Sequence, residues 1–157
     1  MSFKVRKISR EEFIQSLKLA ERVFMEFEAD EYPEEGVKSF IDFLYCDETE
    51  QRFICENLII WGAFDGNTQI GTFAIRDKSH ISLVFVDKNY HRKGVATLMW
   101  KEALSYISAN KTINEITVNS SPYGLPFYKN IGFFEVSTEQ ISDGIRYIPM
   151  KYIIERQ

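Results

Sequence analysis

The sequence has no apolar run long enough to cross a membrane. Such a helix needs about 18 or more consecutive apolar residues, and the 157-residue chain has none. The amino terminus reads Met-Ser-Phe-Lys-Val and lacks the apolar core of a signal peptide. Cysteine is scarce, since only Cys46 and Cys55 occur and they form no CxxC pattern. We therefore expect a cytoplasmic protein with reduced thiols, no membrane association and no metal site.

Positive charge is also scarce. The net charge is −4, and the basic residues form no stripe beyond the local cluster 91–93, so nucleic-acid binding is not expected. Negative charge, by contrast, is concentrated in Glu26, Glu28, Asp30, Glu31, Glu34 and Glu35. This acidic segment is either a solvated helix end and loop or the mouth of a site that attracts a cationic substrate.

Apolar and aromatic residues are abundant enough for one folded domain over residues 1–157. They make up 45% and 15% of the chain, which suffices for a sizeable core at this length. Apolar periodicity predicts helices over 10–28, 37–45 and 94–110, with a short helix that starts near Ser120 and ends at Gly132. It predicts strands over 3–8, 58–64, 69–75, 80–86, 113–119, 133–137 and 145–153.

The connections between these elements predict a mixed α/β sheet. Asp65-Gly66-Asn67 is typical of a tight hairpin, so the three strands between residues 58 and 86 should form an antiparallel meander. Residues 80–119 read as strand, helix and strand, which predicts a right-handed crossover between parallel strands. The last two strands should join around Asp143-Gly144.

A basic loop with the sequence His91-Arg-Lys-Gly94-Val-Ala96 lies between the strand 80–86 and the helix that follows. The first backbone N–H groups of a helix have no partner inside it, and the helix dipole favours anions there. The loop is therefore a candidate phosphate site. Taken alone, its Gly-x-Ala spacing is equally compatible with an ordinary helix start.

Three features of the chain resemble the GNAT-type N-acetyltransferase superfamily. The loop 91–96 is similar to that family's (Gln/Arg)-x-x-Gly-x-(Gly/Ala) acetyl-CoA loop, with histidine at the first position. The sequence Phe127-Tyr128-Lys-Asn-Ile-Gly132-Phe133 resembles its Tyr-containing helix closed by Gly-Phe, and Asn119 ends the strand between them. The resemblance covers the chain from residue 58 onward, whereas residues 1–57 match only in element order. It implies a GNAT-like mixed sheet with an antiparallel N-terminal meander, parallel central strands that splay apart, and flanking helices.

The resemblance also implies acetyl-CoA as co-substrate. Its diphosphate would lie against the backbone N–H groups of residues 92–97, and its pantetheine amides would pair with the strand ends. Arg92 and Lys93 either pair with the 3′-phosphate or stay solvated. Asn119 either hydrogen-bonds the pantetheine arm or caps its strand. The expected contacts are Val84, Phe85, Val86, His91, Arg92, Lys93, Gly94, Val95, Ala96, Thr97 and Asn119.

Acyl transfer from a thioester requires a neutral amine, polarisation of the carbonyl and a proton for the departing thiolate. Tyr128 occupies the family's general-acid position, although it could instead be an aromatic packing residue. A backbone N–H near Val84 could polarise the carbonyl. For the general base, the candidates are His80, then Glu26 or Glu28, then ordered water alone. Tyr32 and Phe40 are placed either to line the acceptor pocket or to pack against the sheet.

Three functions fit these patterns. The first is an acetyltransferase that moves the acetyl group, by direct attack on the thioester, to the primary amine of a small cationic molecule. The second is a protein or peptide acetyltransferase for lysines or N-termini, which needs an open groove. The third is a module that binds acetyl-CoA without catalysis. The resemblance also allows a homodimer, in which an exposed final strand would pair.

Overall fold

Alternating apolar residues, most of them after residue 57, build a mixed sheet, seen here in a computed structural model that describes residues 2–156. The strands pair in the order β1-β2-β3-β4-β5-β8-β6, and β7 pairs with β8. The strands are β1 Lys4–Lys7, β2 Leu58–Asp65, β3 Thr68–Arg76, β4 His80–Val86, β5 Glu115–Ser120, β6 Phe134–Glu135, β7 Gln140–Ser142 and β8 Ile145–Ile153.

Five α-helices flank this sheet, with short 3₁₀ turns at 10–12, 29–31 and 88–90. Within residues 2–156 no helix combines the length and the apolar character that a membrane span requires. The helices are α1 Phe13–Phe27, α2 Glu34–Tyr45, α3 Asp47–Ile54, α4 Val95–Ser108 and α5 Leu125–Asn130.

The predicted topology is confirmed. Strands β1 to β4 are antiparallel neighbours, β4 and β5 are parallel, and β5 pairs with β8 in antiparallel fashion. Helices bury the sheet on both faces. Since successive side chains of a strand point to opposite faces, neighbouring residues belong to different cores. Phe73 belongs to the core under α4, whereas its neighbour Ala74 belongs to the core under α1 and α2, and both are fully buried.

Several predicted elements differ in detail. Helix α3 was missed because Thr49 is its only buried residue, which leaves no apolar periodicity to read. The short helix begins only at Leu125, after a turn in which the Gly124 N–H donates to Ser121 Oγ, because Pro126 suits the first turn of a helix and not its interior. The strand predicted over 133–137 shrinks to β6, and β7, whose residues are all exposed, was not predicted.

The final strand is not a free edge. Strand β8 pairs with β5 on one side and with β6 and β7 on the other. The route to a homodimer that the sequence suggested, pairing through an exposed final strand, is therefore closed. The edge strands are β1 on one side of the sheet and β6 with β7 on the other.

Candidate active site

A cleft opens in the middle of the sheet where β4 and β5 separate. These strands pair only at His80 with Thr117 and at Ile81 with Val118, although they run on to Val86 and Ser120. Just beyond the last pair, Ser82 is the extra residue of a β-bulge, because β3 pairs with Ile81 and then with Leu83. A bulge bends its strand and increases the twist. The expected splay of the central strands is thus present, and it leaves backbone groups on both strand edges free.

The cleft contains a cavity of about 840 Å³, here called the cleft cavity. It runs between the ends of β4 and β5, the start of α4, and aromatic residues of α1 and α2. Most of the predicted site residues line it: Glu28, Tyr32, Val84, Phe85, Val86, His91, Arg92, Gly94, Val95, Ala96, Thr97, Asn119 and Tyr128.

One end of the cleft cavity is a cradle of free backbone N–H groups. From Arg92 to Thr97, no backbone N–H donates a hydrogen bond of normal geometry to a described residue, and the first to do so is Leu98, which donates to Gly94 O. The loop reaches this arrangement through positive φ angles at Arg92 and Gly94. A Cβ at Gly94 would meet nothing within 4 Å, so the cradle is open. These groups suit a diphosphate.

His91 fixes the loop to the end of β4. Its Nε2 lies 2.7 Å from the carbonyl oxygen of Val86, and its ring lies 4.8 Å from that of Phe27. Since the carbonyl can only accept, Nε2 carries the hydrogen, and a neutral ring then has only an acceptor nitrogen left. In this arrangement the Nε2 hydrogen of His91 is used within the protein and does not reach a phosphate.

Glu28 is a buried carboxyl group that also lines the cleft cavity. It follows α1, where its backbone N–H still donates to Phe24 O, and 9% of its surface is exposed. The pKa of Glu28 is raised to about 7. Burial is the main cause and the charge of Glu31 adds to it, whereas the hydrogen bond from the Ser121 hydroxyl lowers the pKa in part. A carboxyl group with this pKa exchanges a proton near neutral pH.

Tyr128 is a buried phenol in the same cavity. Its ring packs between Phe127 and Phe133, with ring centroids 5.2 and 5.5 Å away. Burial raises the pKa of Tyr128 well above its ordinary value, and the charge of Glu28 raises it further. No described residue is a hydrogen-bond partner of its hydroxyl. The phenol therefore holds its proton at any physiological pH and has no competing acceptor in the protein.

Three predicted site residues lie outside the cavity lining. His80 begins β4, at the strand end opposite the loop, with Nδ1 2.8 Å from Thr117 Oγ1. Burial, and to a smaller extent the charge of Arg76, lower the pKa of His80 to about 4. Glu26 is exposed on α1. Lys93 is also exposed, with its ammonium 5.7 Å from the centre of the Tyr90 ring.

Sequence reasoning missed the hydroxyl group of Ser82. It lines the cleft cavity at the bulge, and it is the one buried side-chain polar atom without a hydrogen-bond partner among the described residues. Buried polar groups are nearly always paired, so an orphan that faces a cavity indicates a ligand contact. The signal was not in the sequence, because it depends on where the bulge falls.

Sequence reasoning also missed the long-range contacts of the segment 31–40, here called the strap, which packs on residues 143–146. Ser39 Oγ donates to Asp143 O at 2.9 Å, and the Tyr32 hydroxyl donates to Arg146 O at 3.4 Å. Gly36 packs directly on Gly144, where a Cβ on Gly36 would overlap the carbonyl oxygen. No local pattern links positions more than a hundred residues apart.

Comparison with known proteins identifies the family. Residues 28–154 match the family model described as an acetyltransferase (GNAT) domain. The chain belongs to the GNAT family. Over 82 residues it is 30% identical to the uncharacterized N-acetyltransferase YafP of Escherichia coli K12, a match that covers 52% of this chain and 50% of that protein. The chain thus spans about half the length of this relative.

Solved GNAT structures share the whole fold. A GCN5-related N-acetyltransferase from Rhodopseudomonas palustris matches with a TM-score of 0.81 at 15% identity, covering 98% of this chain and 97% of that one. The PaiA N-acetyltransferase of Thermoplasma acidophilum, in complex with coenzyme A, has a TM-score of 0.77 at 23% identity, covering 98% and 100%. An aminoglycoside 6′-N-acetyltransferase complexed with coenzyme A has a TM-score of 0.67 at 12% identity, covering 98% and 99%.

As a GNAT domain, the chain is an N-acetyltransferase domain that uses acetyl-CoA, and its own residues fit that co-substrate. The free N–H groups of residues 92–97 suit the diphosphate, the unpaired edges of β4 and β5 suit the pantetheine amides, and the Ser82 hydroxyl lacks a partner. Within residues 2–156, no group of three His, Cys, Asp or Glu side chains is placed to hold a metal ion.

Proposed function

We propose that this protein transfers the acetyl group of acetyl-CoA directly to the primary amine of a small molecule. The observation that carries the proposal is one cavity that joins the phosphate cradle of residues 92–97 to both Glu28 and Tyr128. We also propose a cytoplasmic location, since Cys46 and Cys55 are exposed free thiols.

On the donor side, the chain binds and orients the thioester, which acetyl-CoA supplies as the reactive group. The cradle anchors the diphosphate, and the free edge of β4 near Val84 offers a backbone N–H to polarise the thioester carbonyl. The Ser82 hydroxyl gives a second donor at the bulge. Donors held by a strand and a bulge need no reorganisation during the reaction, which is the basis of electrostatic catalysis.

On the acceptor side, Glu28 is the proposed general base. Its pKa of about 7 matches the task of removing a proton from an ammonium group near neutral pH. His80 was the other candidate from the sequence. We prefer Glu28 because it lines the cavity, whereas His80 lies outside the lining and its ring nitrogen is engaged by Thr117.

Tyr128 is the proposed general acid for the departing thiolate. Burial keeps its phenol protonated, and the group lines the same cavity as the β4 edge on which the thioester would lie. Proton transfer from a positioned side chain of this kind is typically worth about 10²- to 10⁴-fold in rate.

The strap favours a small acceptor over a protein or a peptide. It is tied to the turn between β7 and β8 by Ser39 and Gly36 and to β8 by Tyr32. The strap therefore lies along the acceptor end of the cleft cavity, which Tyr32 and Phe40 line, and limits the room there for an extended chain. An extended peptide would need to lie along an accessible surface, as in other peptide-recognition modes.

A coenzyme A release assay tests the proposal, with a panel of small amines, polyamines, aminoglycosides and lysine-containing peptides. We expect release with at least one small amine and none with the peptides, while calorimetry shows that acetyl-CoA binds. Release with the peptides alone would establish the protein acetyltransferase. Binding of acetyl-CoA without release for any acceptor would identify a non-catalytic module.

A further inference from the structure

The acceptor end of the cleft cavity is walled by stacked aromatic rings. The rings of Phe24 and Phe40 lie 4.1 Å apart at an interplanar angle of 23°, and those of Phe24 and Tyr32 lie 5.7 Å apart at 11°. Phe40 in turn contacts Phe85 of β4 at 5.7 Å. All four residues line the cavity. They present an apolar surface that binds an apolar group, and an aromatic group gains further from ring contacts.

A second set of rings lies around the buried carboxyl group. Phe27 contacts Tyr123 at 6.0 Å, and both line the cavity. The charge of Glu28 raises the pKa of Tyr32, Tyr123 and Tyr128, so all three phenols lie near it. A single carboxylate among aromatic rings suits one ammonium group, because the rings also attract a cation.

The charges at this end do not suit a polycation. Of the acidic segment, only Glu28 lines the cavity, and the only other carboxylate in the lining is the exposed Asp143. Arg146 also lines it and adds positive charge, although its guanidinium pairs with Glu139 at 3.1 Å. The remaining acidic residues are exposed and lie outside the lining: Glu26, Asp30, Glu31, Glu34 and Glu35.

We propose that the acceptor is an arylalkyl monoamine, a molecule with one primary amine joined by a short linker to an aromatic ring. The amine would lie at Glu28, and the ring would lie against Phe24, Phe40 and Phe85. This inference rests on the proposed function and narrows its acceptor. Such a molecule is one kind of the small cationic amine that the sequence predicts, with a single charge and an aromatic group.

Initial rates of coenzyme A release test the acceptor class with 2-phenylethylamine, n-butylamine, spermidine and kanamycin. We expect kcat/KM for 2-phenylethylamine to exceed that for spermidine by about tenfold or more, since a buried apolar group discriminates on that scale. A higher kcat/KM for spermidine or kanamycin would overturn the inference while leaving amine acetylation intact.

A pair of variants tests whether Phe40 contacts the aromatic ring of the acceptor. Phe40→Leu keeps an apolar side chain but removes a ring of the cavity wall. We expect it to lower kcat/KM for 2-phenylethylamine about fivefold and to change that for n-butylamine by less than about twofold. Phe53→Leu is the matched control, since Phe53 stacks on Phe13 at 4.6 Å outside the lining. Equal losses for both amines in Phe40→Leu would contradict the assignment.

Calorimetric titration of 2-phenylethylamine into the protein saturated with coenzyme A separates the two proposals. Binding that weakens in Phe40→Leu, without turnover of any amine, would support the ligand class and overturn the proposed catalysis. Absence of both binding and turnover of 2-phenylethylamine would overturn the inference, whatever the other amines do.

Discussion

At the scale of single residues, burial raises the pKa of both Glu28 and Tyr128, with different consequences at neutral pH. The carboxyl group, with a pKa of about 7, is ionised in a substantial fraction of molecules, whereas the phenol stays protonated. The same buried surroundings thus leave Glu28 able to accept a proton and Tyr128 able to donate one. Groups whose environment sets their protonation states apart are typical of acid–base sites.

Replacing Tyr128 with phenylalanine removes the proposed acid while keeping the buried ring. We expect kcat to fall about 10²-fold or more, because the thiolate must leave without a proton. The Kd for acetyl-CoA should change little, since the phosphate cradle is formed by the backbone of residues 92–97. Steady-state kinetics and calorimetry measure the two quantities.

Tyr123→Phe is the control for that variant, because it removes a phenol hydroxyl from the same cavity at a position with no proposed proton transfer. Its kcat should stay near that of the wild type. An unchanged kcat in Tyr128→Phe would show that Tyr128 is a packing residue.

The pH dependence of kcat tests the general base. Because the ionised form of Glu28 is active, kcat at saturating substrates should rise as the pH increases through about 7. Glu28→Gln should lower kcat and remove this rise. His80→Gln should keep it, since the pKa of His80 is about 4. If His80→Gln abolished the rise and Glu28→Gln did not, the base would be His80.

At the scale of elements, the loop before α4 is a site made by backbone. Gly94 has a φ of +78° and open space where a Cβ would stand, and it lies within the cradle of residues 92–97, so we expect an acidic side chain there to come close to the diphosphate. Gly94→Glu should therefore raise the Kd for acetyl-CoA about 100-fold or more, since like charges in contact cost several kcal/mol.

Gly66→Glu controls for the strain of Gly94→Glu. Gly66 also has a positive φ, of +59°, and open space around it, but it lies in the hairpin between β2 and β3, outside the cavity lining. Calorimetry should show near wild-type affinity in Gly66→Glu. If both variants bound acetyl-CoA normally, the donor site would lie elsewhere.

The sequence predicted elements that carry their own periodicity. Strand β4 and helix α4 could be predicted because their apolar residues alternate or recur every three or four positions. The loop between them could be predicted because its residues follow one another in the sequence. Helix α3 was not readable, since it buries only Thr49. Strand β7 was not either, since its residues are all exposed and polar positions dominate it.

The donor half and the acceptor half of the site differed in how far the sequence predicted them, and the reason is the same. Most of the donor half lies within residues 84–97 and could be predicted as one motif, whereas its Ser82 hydroxyl could not. The acceptor half combines α1, the strap, β4 and the turn between β7 and β8, so it exists only after folding. The acidic segment illustrates the limit: six carboxylates were visible in the sequence, but only Glu28 lines the cavity.

At the scale of the whole molecule, the buried carboxyl group of Glu28 ties stability to pH. Its pKa is about 7 in the folded chain and about 4.5 when unfolded, so the folded state binds the proton more tightly. The free energy of unfolding therefore falls as the pH rises from about 4.5 to 7, by roughly 3 kcal/mol for a complete shift of this size. Above pH 7 the free energy of unfolding stays lower by this amount.

Glu28→Gln should therefore be more stable than the wild type at pH 8, although it is less active, because a neutral amide has no charge to desolvate. The difference should shrink at pH 5, where Glu28 is protonated in the folded protein. The low pKa of His80 works in the opposite direction, since it makes stability rise between about pH 4 and 6.5, but it acts equally in both proteins and cancels. Urea unfolding at pH 5 and pH 8 measures the change. A wild type as stable as Glu28→Gln at pH 8 would show that Glu28 is not desolvated, and the proposed base would lose its physical basis.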